Sequence, residues 1–189
     1  MGEVKYIGID LDGTVADSTG LAARYMQDHF DKDPLIASDS FEEMFDVSTA
    51  EVCEFWDIYA QRLWRECKPI RGAVRVIREI SKSYPIMIVT RRFIRDKRIT
   101  IDWLDEFCIP HDVVHFLGKT GVSKGDFPPI QECHCYIDDE VGNAICISDA
   151  KVPVILFKKD IEHPRVICVN GWREIEELIL LKRSRRLVK

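Results

Sequence analysis

Short apolar runs alternate along this chain with stretches in which apolar residues recur at steps of three or four. The apolar runs, bounded by turn-forming or charged residues, predict buried strands. They cover residues 6–9, 85–90, 113–116, 135–139, 153–157 and 166–169. Helical periodicity fills 17–30, 48–64, 73–80 and 99–107, and it resumes after 140 and after 170. Strands that alternate with helices predict an α/β fold with a doubly wound, Rossmann-like parallel sheet.

The helical stretch 48–64 stands out because it is unusually aromatic. It opens on the pattern of a capping box, with Ser48 at the N-cap and Glu51 three residues later. Its large apolar side chains then follow helical spacing, and they are Val52, Phe55, Trp56, Tyr59, Leu63 and Trp64. We expect most of these rings to pack this helix onto the rest of the protein, and one or two to face a bound base.

This helix lies between the first two predicted strands, which is a place where a cap can be inserted. The polar segment 31–40 precedes it and predicts a loop. We therefore predict a small helical cap at 17–69, with residues 1–16 and 70–189 forming the core domain.

The first strand delivers two carboxylates, Asp10 and Asp12, into a Gly-Thr turn. Alternate residues of a strand share one side, so these carboxylates should leave the sheet edge close together. They stay ionised together only when a cation lies between them, and otherwise one is driven toward its protonated form. Mg²⁺ takes such oxygen ligands, one aspartate can attack phosphorus, and its neighbour can carry protons. The pair therefore indicates phosphate chemistry.

Polar side chains also follow the later strands, at the edge where open α/β sheets bind ligands. A hydroxyl and two arginines come after the second strand, two lysines occupy a Gly-containing segment further on, and adjacent aspartates close the fourth. In chain order these residues are Thr90, Arg91, Arg92, Lys119, Lys124, Asp138 and Asp139.

Composition narrows the class of partner. The chain has 189 residues and a formal net charge of −5, which argues against nucleic acid as the main partner and favours a small ligand. It shows neither a signal peptide nor an apolar run of membrane-spanning length, so we expect no membrane association. Its seven cysteines are odd in number and sit mostly in apolar runs, as reduced thiols do, which predicts a cytoplasmic protein without disulfides.

Two other charged or metal-binding patterns carry less weight. Cys133-His134-Cys135, with two histidines upstream, resembles a zinc site, but Cys-x-Cys is not the usual structural spacing and the segment enters a core strand. The basic run 182–186 follows the last predicted helix, where cations suit the negative end of the helix dipole.

The four polar elements, in this order, resemble the motifs of the haloacid dehalogenase superfamily: Asp-x-Asp, a Ser or Thr after a strand, a Lys, and a terminal acidic pair. The resemblance spans about residues 4 to 160. Finer features resemble the cytosolic 5′(3′)-deoxyribonucleotidase family. They are the segment 12–17, the helical insert, Val89-Thr90-Arg91, Ile137-Asp138-Asp139, the strand 154–157 and the turn Asn170-Gly171-Trp172.

The resemblance implies an Mg²⁺-dependent phosphomonoester hydrolase, most simply a 5′-nucleotidase acting on (deoxy)nucleoside monophosphates. Asp10 would be the nucleophile that forms an aspartyl-phosphate. Asp12 would protonate the leaving ribose oxygen and then deprotonate the hydrolytic water. Thr90 would hydrogen-bond the phosphoryl oxygens, and Thr14 and Arg91 would contact the substrate.

The resemblance also implies the metal ligands and the motif lysine. Mg²⁺ would be held by the Asp10 carboxylate, the Asp12 backbone carbonyl and the acidic pair, with Asp138 or Asp139 as the direct ligand. Lys124 would neutralise charge near Asp10. We prefer Lys124 for this position because it follows Ser123, at which a helix could begin and place the charge beside helix-start N–H groups. Lys119 remains a rival for this position.

Two alternatives stay open on the sequence. The same chemistry could act on a sugar phosphate or another small metabolite, or the fold could serve a non-catalytic binding or regulatory module. A homodimer is also left open.

Overall fold

The computed structural model of the protein describes residues 5–36, 38, 40–118 and 121–180. Six parallel strands within this part of the chain form one sheet, in the order β3-β2-β1-β4-β5-β6. The strands are β1 (Tyr6–Ile9), β2 (Ile86–Thr90), β3 (Val113–Phe116), β4 (Cys133–Asp138), β5 (Val154–Phe157) and β6 (Val166–Val169). The doubly wound parallel sheet predicted from the sequence is confirmed. The strand order reverses between β1 and β4, and such a switch point opens a crevice at the carboxyl ends of the strands.

The helices follow the predicted alternation, with one addition. They are α1 (Ser18–Phe30), α2 (Phe41–Phe45), α3 (Thr49–Glu66), α4 (Ala73–Ser81), α5 (Lys97–Glu106), α6 (Val141–Asp149) and α7 (Trp172–Leu180), with 3₁₀ turns at Ile94–Asp96 and Pro128–Glu132. The capping box of α3 is present. Helix α2 was not predicted from the sequence, because five residues are too few to show a helical period.

Apolar side chains cover both faces of the sheet. On one face, α4, α5 and α7 pack over β1 and β2, with Trp103 and Trp172 among the largest buried side chains. On the other face, α6 and the 3₁₀ turn Pro128–Glu132 pack around Tyr136. Burial on both faces explains why the strands read as continuous apolar runs.

A third apolar cluster joins α1, α2 and α3 and contains most of the aromatic side chains of the predicted cap. Ala16 and Pro69, which flank the predicted cap, form a bridge to one another. The backbone N–H of Asp17 donates to the Lys68 carbonyl at 2.8 Å. The two connections therefore lie side by side, while the division into a cap at 17–69 and a core stays a prediction.

Within the described ranges, we find no helix long and apolar enough to cross a membrane. The basic run 182–186 lies outside the described residues.

The close packing of β1 on β4 can be tested at Gly8. A Cβ atom there would lie 2.3 Å from Tyr136 Cδ2 and 2.7 Å from Cys133 Sγ, in the middle of the sheet. Such overpacking costs about 1–3 kcal/mol, so we expect Gly8→Ala to lower the free energy of unfolding by that amount in urea.

Gly142→Ala is the matched control. A Cβ atom at Gly142, within α6, would only reach ordinary contact at 3.4 Å from Glu140 Oε1. Alanine favours a helix over glycine by roughly 0.5–1 kcal/mol, so this variant should be as stable as the wild type or slightly more so. Equal stability of both variants would contradict the packing account.

Candidate active site

A buried lysine bridges the two strands at the switch point. Lys124 Nζ donates to Asp10 Oδ1 at 2.5 Å and to Asp138 Oδ2 at 2.7 Å. Asp10 directly follows β1 and Asp138 ends β4, and the two strands are neighbours in the sheet. The three side chains are at most 9% exposed. The fold thus brings residues 114 positions apart into one ion-paired group.

A tight turn, and not a helix, presents Lys124. The Asp126 N–H donates to the Ser123 carbonyl and to Ser123 Oγ, each at 3.2 Å. The next helical segment is the 3₁₀ turn that starts at Pro128. The expected helix start at Ser123 is therefore wrong, since two consecutive prolines place the helical turn later. The rival Lys119 lies outside the described residues.

Gly13 and Thr14 together position Asp139. Thr14 Oγ1 donates to Asp139 Oδ1 at 2.9 Å, and the Thr14 side chain is fully buried. Gly13 has a φ of 81°, and a Cβ there would lie only 2.0 Å from Asp139 Oδ2. The Thr14 hydroxyl thus donates to Asp139, and its predicted contact with the substrate stays a prediction. The Gly-Thr turn therefore serves the second acidic motif.

Three carboxylates meet at this point. One oxygen from each of Asp10, Asp138 and Asp139 can be chosen so that all lie within 4.8 Å of one another, a grouping found among the described residues. Asp138 is further fixed by the Glu140 N–H at 2.9 Å and Asn143 Nδ2 at 3.2 Å. The cluster therefore carries three carboxylates against one ammonium.

The pKa values reflect this imbalance. Burial raises the pKa of Asp10, Lys124 lowers it, and repulsion from the neighbouring aspartates leaves it well above its ordinary value. Burial and the charge of Asp138 raise the pKa of Asp139 to about 6. Burial lowers the pKa of Lys124, but Asp10 and Asp138 outweigh burial and keep the ammonium charged. The cluster is thus short of positive charge.

Asp12 points away from this cluster to a second buried cation. Arg92 Nη2 donates to Asp12 Oδ1 at 2.7 Å and Arg92 Nε donates to Oδ2 at 3.0 Å. Burial raises the pKa of Asp12, but the charge and hydrogen bonds of Arg92 dominate and lower it. Thr90 Oγ1 lies 3.4 Å from Asp12 Oδ2 and also accepts from the Arg92 N–H at 3.1 Å. Thr90 therefore lies beside Asp12, at the end of β2.

Arg92 is a functional candidate that the sequence analysis did not select. The sequence placed two arginines after β2 and gave the substrate contact to the first. Arg92 is 3% exposed, and its guanidinium lies 4.0 Å from the centroid of the Trp64 ring in α3. Arg91 is exposed and lines the adjacent cavity. The sequence alone cannot show which of two adjacent arginines is buried, because burial depends on the backbone conformation between them.

A cavity of about 550 Å³ opens beside Asp12, between the helices of the predicted cap and the core. Its apolar wall includes three rings, Phe41, Trp56 and Phe93, and its polar lining includes Arg91. Pockets of this size and character suit a small organic ligand. Trp56 belongs to the aromatic helix α3, and the expectation that one or two of its rings face a bound base stays a prediction.

The chain is similar to known nucleotidases over most of its length. The family model described as 5′ nucleotidase, deoxy (pyrimidine), cytosolic type C protein matches residues 4–186. The chain belongs to this family. A 5′(3′)-deoxyribonucleotidase of Bacillus subtilis is 27% identical over 191 residues, covering 93% of this chain and 99% of the relative. A nucleotidase of Clostridium acetobutylicum is 27% identical over 187 residues, covering 92% of each chain.

Solved structures support the fold. A predicted phosphatase from Clostridium acetobutylicum superposes with a TM-score of 0.67 at 17% identity, covering 95% of this chain and 100% of that one. A haloacid dehalogenase family hydrolase from Deinococcus radiodurans, with bound phosphate and sodium, gives 0.68 at 12% identity, covering 100% and 99%. The family membership makes the chain a phosphomonoester hydrolase similar to 5′-nucleotidases, and these neighbours show that its fold is that of haloacid dehalogenase-like hydrolases. This disfavours a non-catalytic module.

Removing Lys124 should destabilise the protein, because the repulsion among the buried carboxylates is then no longer offset. Lys124→Met leaves buried carboxylates without their ammonium, and losing one partner of a buried ion pair costs about 3–5 kcal/mol at neutral pH. The aspartate pKa values should then rise further in the folded state only. Folded chains would hold protons that unfolded chains release, so the stability deficit should shrink as pH falls from about 8 to about 5.

Urea unfolding with chelator at both pH values measures this effect. Lys82→Met removes an exposed lysine that pairs with Glu79, and it should change stability little at either pH. A loss of stability in Lys124→Met that does not change with pH would contradict the proposed repulsion among the buried carboxylates.

Proposed function

We propose that the chain is an Mg²⁺-dependent 5′-nucleotidase that hydrolyses (deoxy)nucleoside monophosphates through an aspartyl-phosphate on Asp10. The observation that carries this proposal is that the two aspartates after β1 pair with different buried cations. Asp10 is paired with Lys124 and Asp12 is paired with Arg92. Neighbouring carboxylates in different environments are suited to different roles in one reaction.

The acidic cluster fits a magnesium ion. Its donors are carboxylate oxygens, which suit a hard cation, and three carboxylates against one lysine leave negative charge to be neutralised. Asp10 and the acidic pair would hold the ion, and the resemblance adds the Asp12 backbone carbonyl. Of the acidic pair, Asp139 is half-buried, whereas Asp138 is fully buried and already accepts from Lys124. We therefore favour Asp139 as the direct ligand. Bound Mg²⁺ would supply Lewis-acid polarisation of the phosphoryl group.

In the first half of the reaction, an Asp10 carboxylate oxygen attacks phosphorus and the bond from phosphorus to the ester oxygen breaks. A proton from Asp12 goes to the leaving oxygen, which departs as an alcohol. Lys124 offsets the repulsion between Asp10 and the phosphate dianion, and Thr90 and Arg91 would bind phosphoryl oxygens. The incoming dianion raises the pKa of Asp12 by like-charge repulsion, which favours the protonated form that this step needs.

In the second half, water attacks phosphorus and displaces the Asp10 carboxylate, while Asp12 accepts the proton of the water. Arg92 is a positioning residue in this scheme. Its hydrogen bonds fix the Asp12 carboxylate, and it favours the ionised form that acts as a base.

The substrate class rests on the cavity and on the relatives. The cavity adjoins Asp12 and is lined by rings that can pack on a planar base. The match to a cytosolic deoxynucleotidase family and the Bacillus subtilis 5′(3′)-deoxyribonucleotidase favours deoxynucleotides over other phosphomonoesters and a cytoplasmic setting.

Asp10→Asn tests the nucleophile. The amide cannot form the phosphoenzyme, so Mg²⁺-dependent phosphate release should fall to background while the melting temperature is retained. Phosphate release is measured on nucleoside monophosphates and simple sugar phosphates, with Mg²⁺ and with chelator. Glu106→Gln, an exposed carboxylate on α5, is the control and should keep wild-type activity.

Three results would decide between the proposed nucleotidase and its alternatives. Release confined to nucleotides and lost in Asp10→Asn supports the proposal. Release from sugar phosphates alone would retain the chemistry and reject the substrate class. Wild-type silence across the panel would contradict the proposal.

Asp12→Asn tests the proton carrier. Acid catalysis contributes roughly a hundredfold to ten-thousandfold, and it matters most when the leaving group is a poor one. The variant should therefore lose more kcat/KM on a nucleoside monophosphate than on an aryl phosphate whose leaving group needs no proton. Equal losses on both esters would remove the acid role from Asp12.

A further inference from the structure

Two residues that line the cavity carry buried polar atoms with no hydrogen-bond partner in the part of the chain that the structure describes. Both oxygens of the Asp96 carboxylate and the Nε1 of Trp64 are buried and unpaired. Asp96 is 1% exposed and Trp64 is 7% exposed, and both residues line the cavity beside Asp12. One group can only donate a hydrogen bond, and the other, as a carboxylate, can only accept.

Arg92 and Arg95, which precede Asp96 in the sequence, do not satisfy its carboxylate. Arg92 is committed to Asp12, and its Nη1 donates to Thr100 Oγ1 at 3.2 Å. Arg95 pairs with Asp57 on the surface at 2.5 Å. Asp96 lies at the start of α5, yet its side chain makes no capping hydrogen bond there.

An unpaired buried carboxylate is costly, because it loses hydration and gains nothing in return. Buried polar groups are nearly always satisfied, so an exception requires an explanation. Here the exceptions are an acceptor and a donor in the lining of one cavity, and a ligand in that cavity can supply what both lack.

We propose that Asp96 and Trp64 Nε1 bind the polar edge of the nucleobase, with Asp96 accepting from base N–H groups and Trp64 donating to a base oxygen or ring nitrogen. This rests on the proposed function, because it assigns base selection to the same cavity. Hydrogen-bond selection of this kind discriminates more sharply than apolar contact, since the wrong ligand leaves buried groups unpaired.

The chemistry of the pair ranks the bases. Guanine offers two adjacent N–H donors that match the two free oxygens of Asp96, and cytosine and adenine offer an exocyclic amino group. Uracil and thymine offer a single N–H between two carbonyls, whose lone pairs repel a carboxylate. Asp96 should therefore favour amino-bearing bases over uracil and thymine.

Asp96→Asn is the direct test. We would measure equilibrium binding by calorimetry for dGMP, dCMP, dUMP, dTMP and deoxyribose 5-phosphate, and kcat/KM for the same ligands. The wild type should prefer dGMP and dCMP over dUMP and dTMP by about tenfold to a hundredfold, the value of hydrogen bonds to a charged group. An asparagine side chain can donate to a carbonyl, so the variant should reduce the preference for dGMP and dCMP to about one or reverse it. Its affinity for deoxyribose 5-phosphate should not change.

Asp102→Asn is the matched control, because it changes an exposed carboxylate on the same helix. It should keep the wild-type ratio. Asp96→Asn removes a buried charge, so its melting temperature should equal or exceed that of the wild type. Trp64→Phe is a second variant, which deletes the N–H donor together with part of the indole, and it should weaken nucleotide binding severalfold more than binding of deoxyribose 5-phosphate.

Several outcomes would overturn the inference. A wild type without base preference, or an Asp96→Asn loss equal for every ligand including the sugar phosphate, would assign Asp96 to the sugar or to the fold. Failure of the proposed function is distinguishable, since a protein that binds bases selectively without releasing phosphate would retain the Asp96 assignment and lose the nucleotidase. Absence of binding by any nucleotide would contradict both.

Discussion

The concentration of negative charge at the switch point of the sheet is the constraint on which the site depends. Parallel strands β1 and β4 end side by side, and each delivers aspartates to the same edge. Four carboxylates in so small a space repel one another, and burial strengthens that repulsion. Lys124 relieves part of it by bridging Asp10 and Asp138. A residual negative charge that the protein does not neutralise is what a magnesium site requires.

Arg92 meets the same constraint for Asp12 and also links the site to the helical insert. It follows β2 in the core, forms hydrogen bonds to Asp12 and lies against the Trp64 ring in α3. Trp64 in turn stacks on Trp56, with ring centroids 5.4 Å apart. Asp12, the proposed proton carrier, and the aromatic wall of the cavity therefore contact the same guanidinium. A change in the cap that moves Trp64 is expected to reach Asp12 by this route.

The sequence was most informative where local periodicity decides the outcome. Buried apolar runs and helical spacing gave the parallel sheet and all the longer helices, and strand ends indicated where Asp10, Thr90 and Asp138 would gather. Features that depend on contacts between residues distant in sequence could not be predicted from it. The hydrogen bond from the Thr14 hydroxyl to Asp139, which is 125 positions away, could not be predicted from local sequence. Asp96 carries no motif, and its interest arises only because folding buries its carboxylate in a cavity lining.

The most direct test of this account asks whether a phosphoryl group becomes attached to Asp10. The enzyme would be quenched during turnover of a nucleoside monophosphate with Mg²⁺, treated with borohydride to reduce any acyl-phosphate, and analysed by peptide mass spectrometry. The account predicts conversion of Asp10 alone to homoserine, dependent on substrate and absent with chelator. Modification of another carboxylate, or turnover with no trapped residue in a quench fast enough to catch the first cycle, would contradict it.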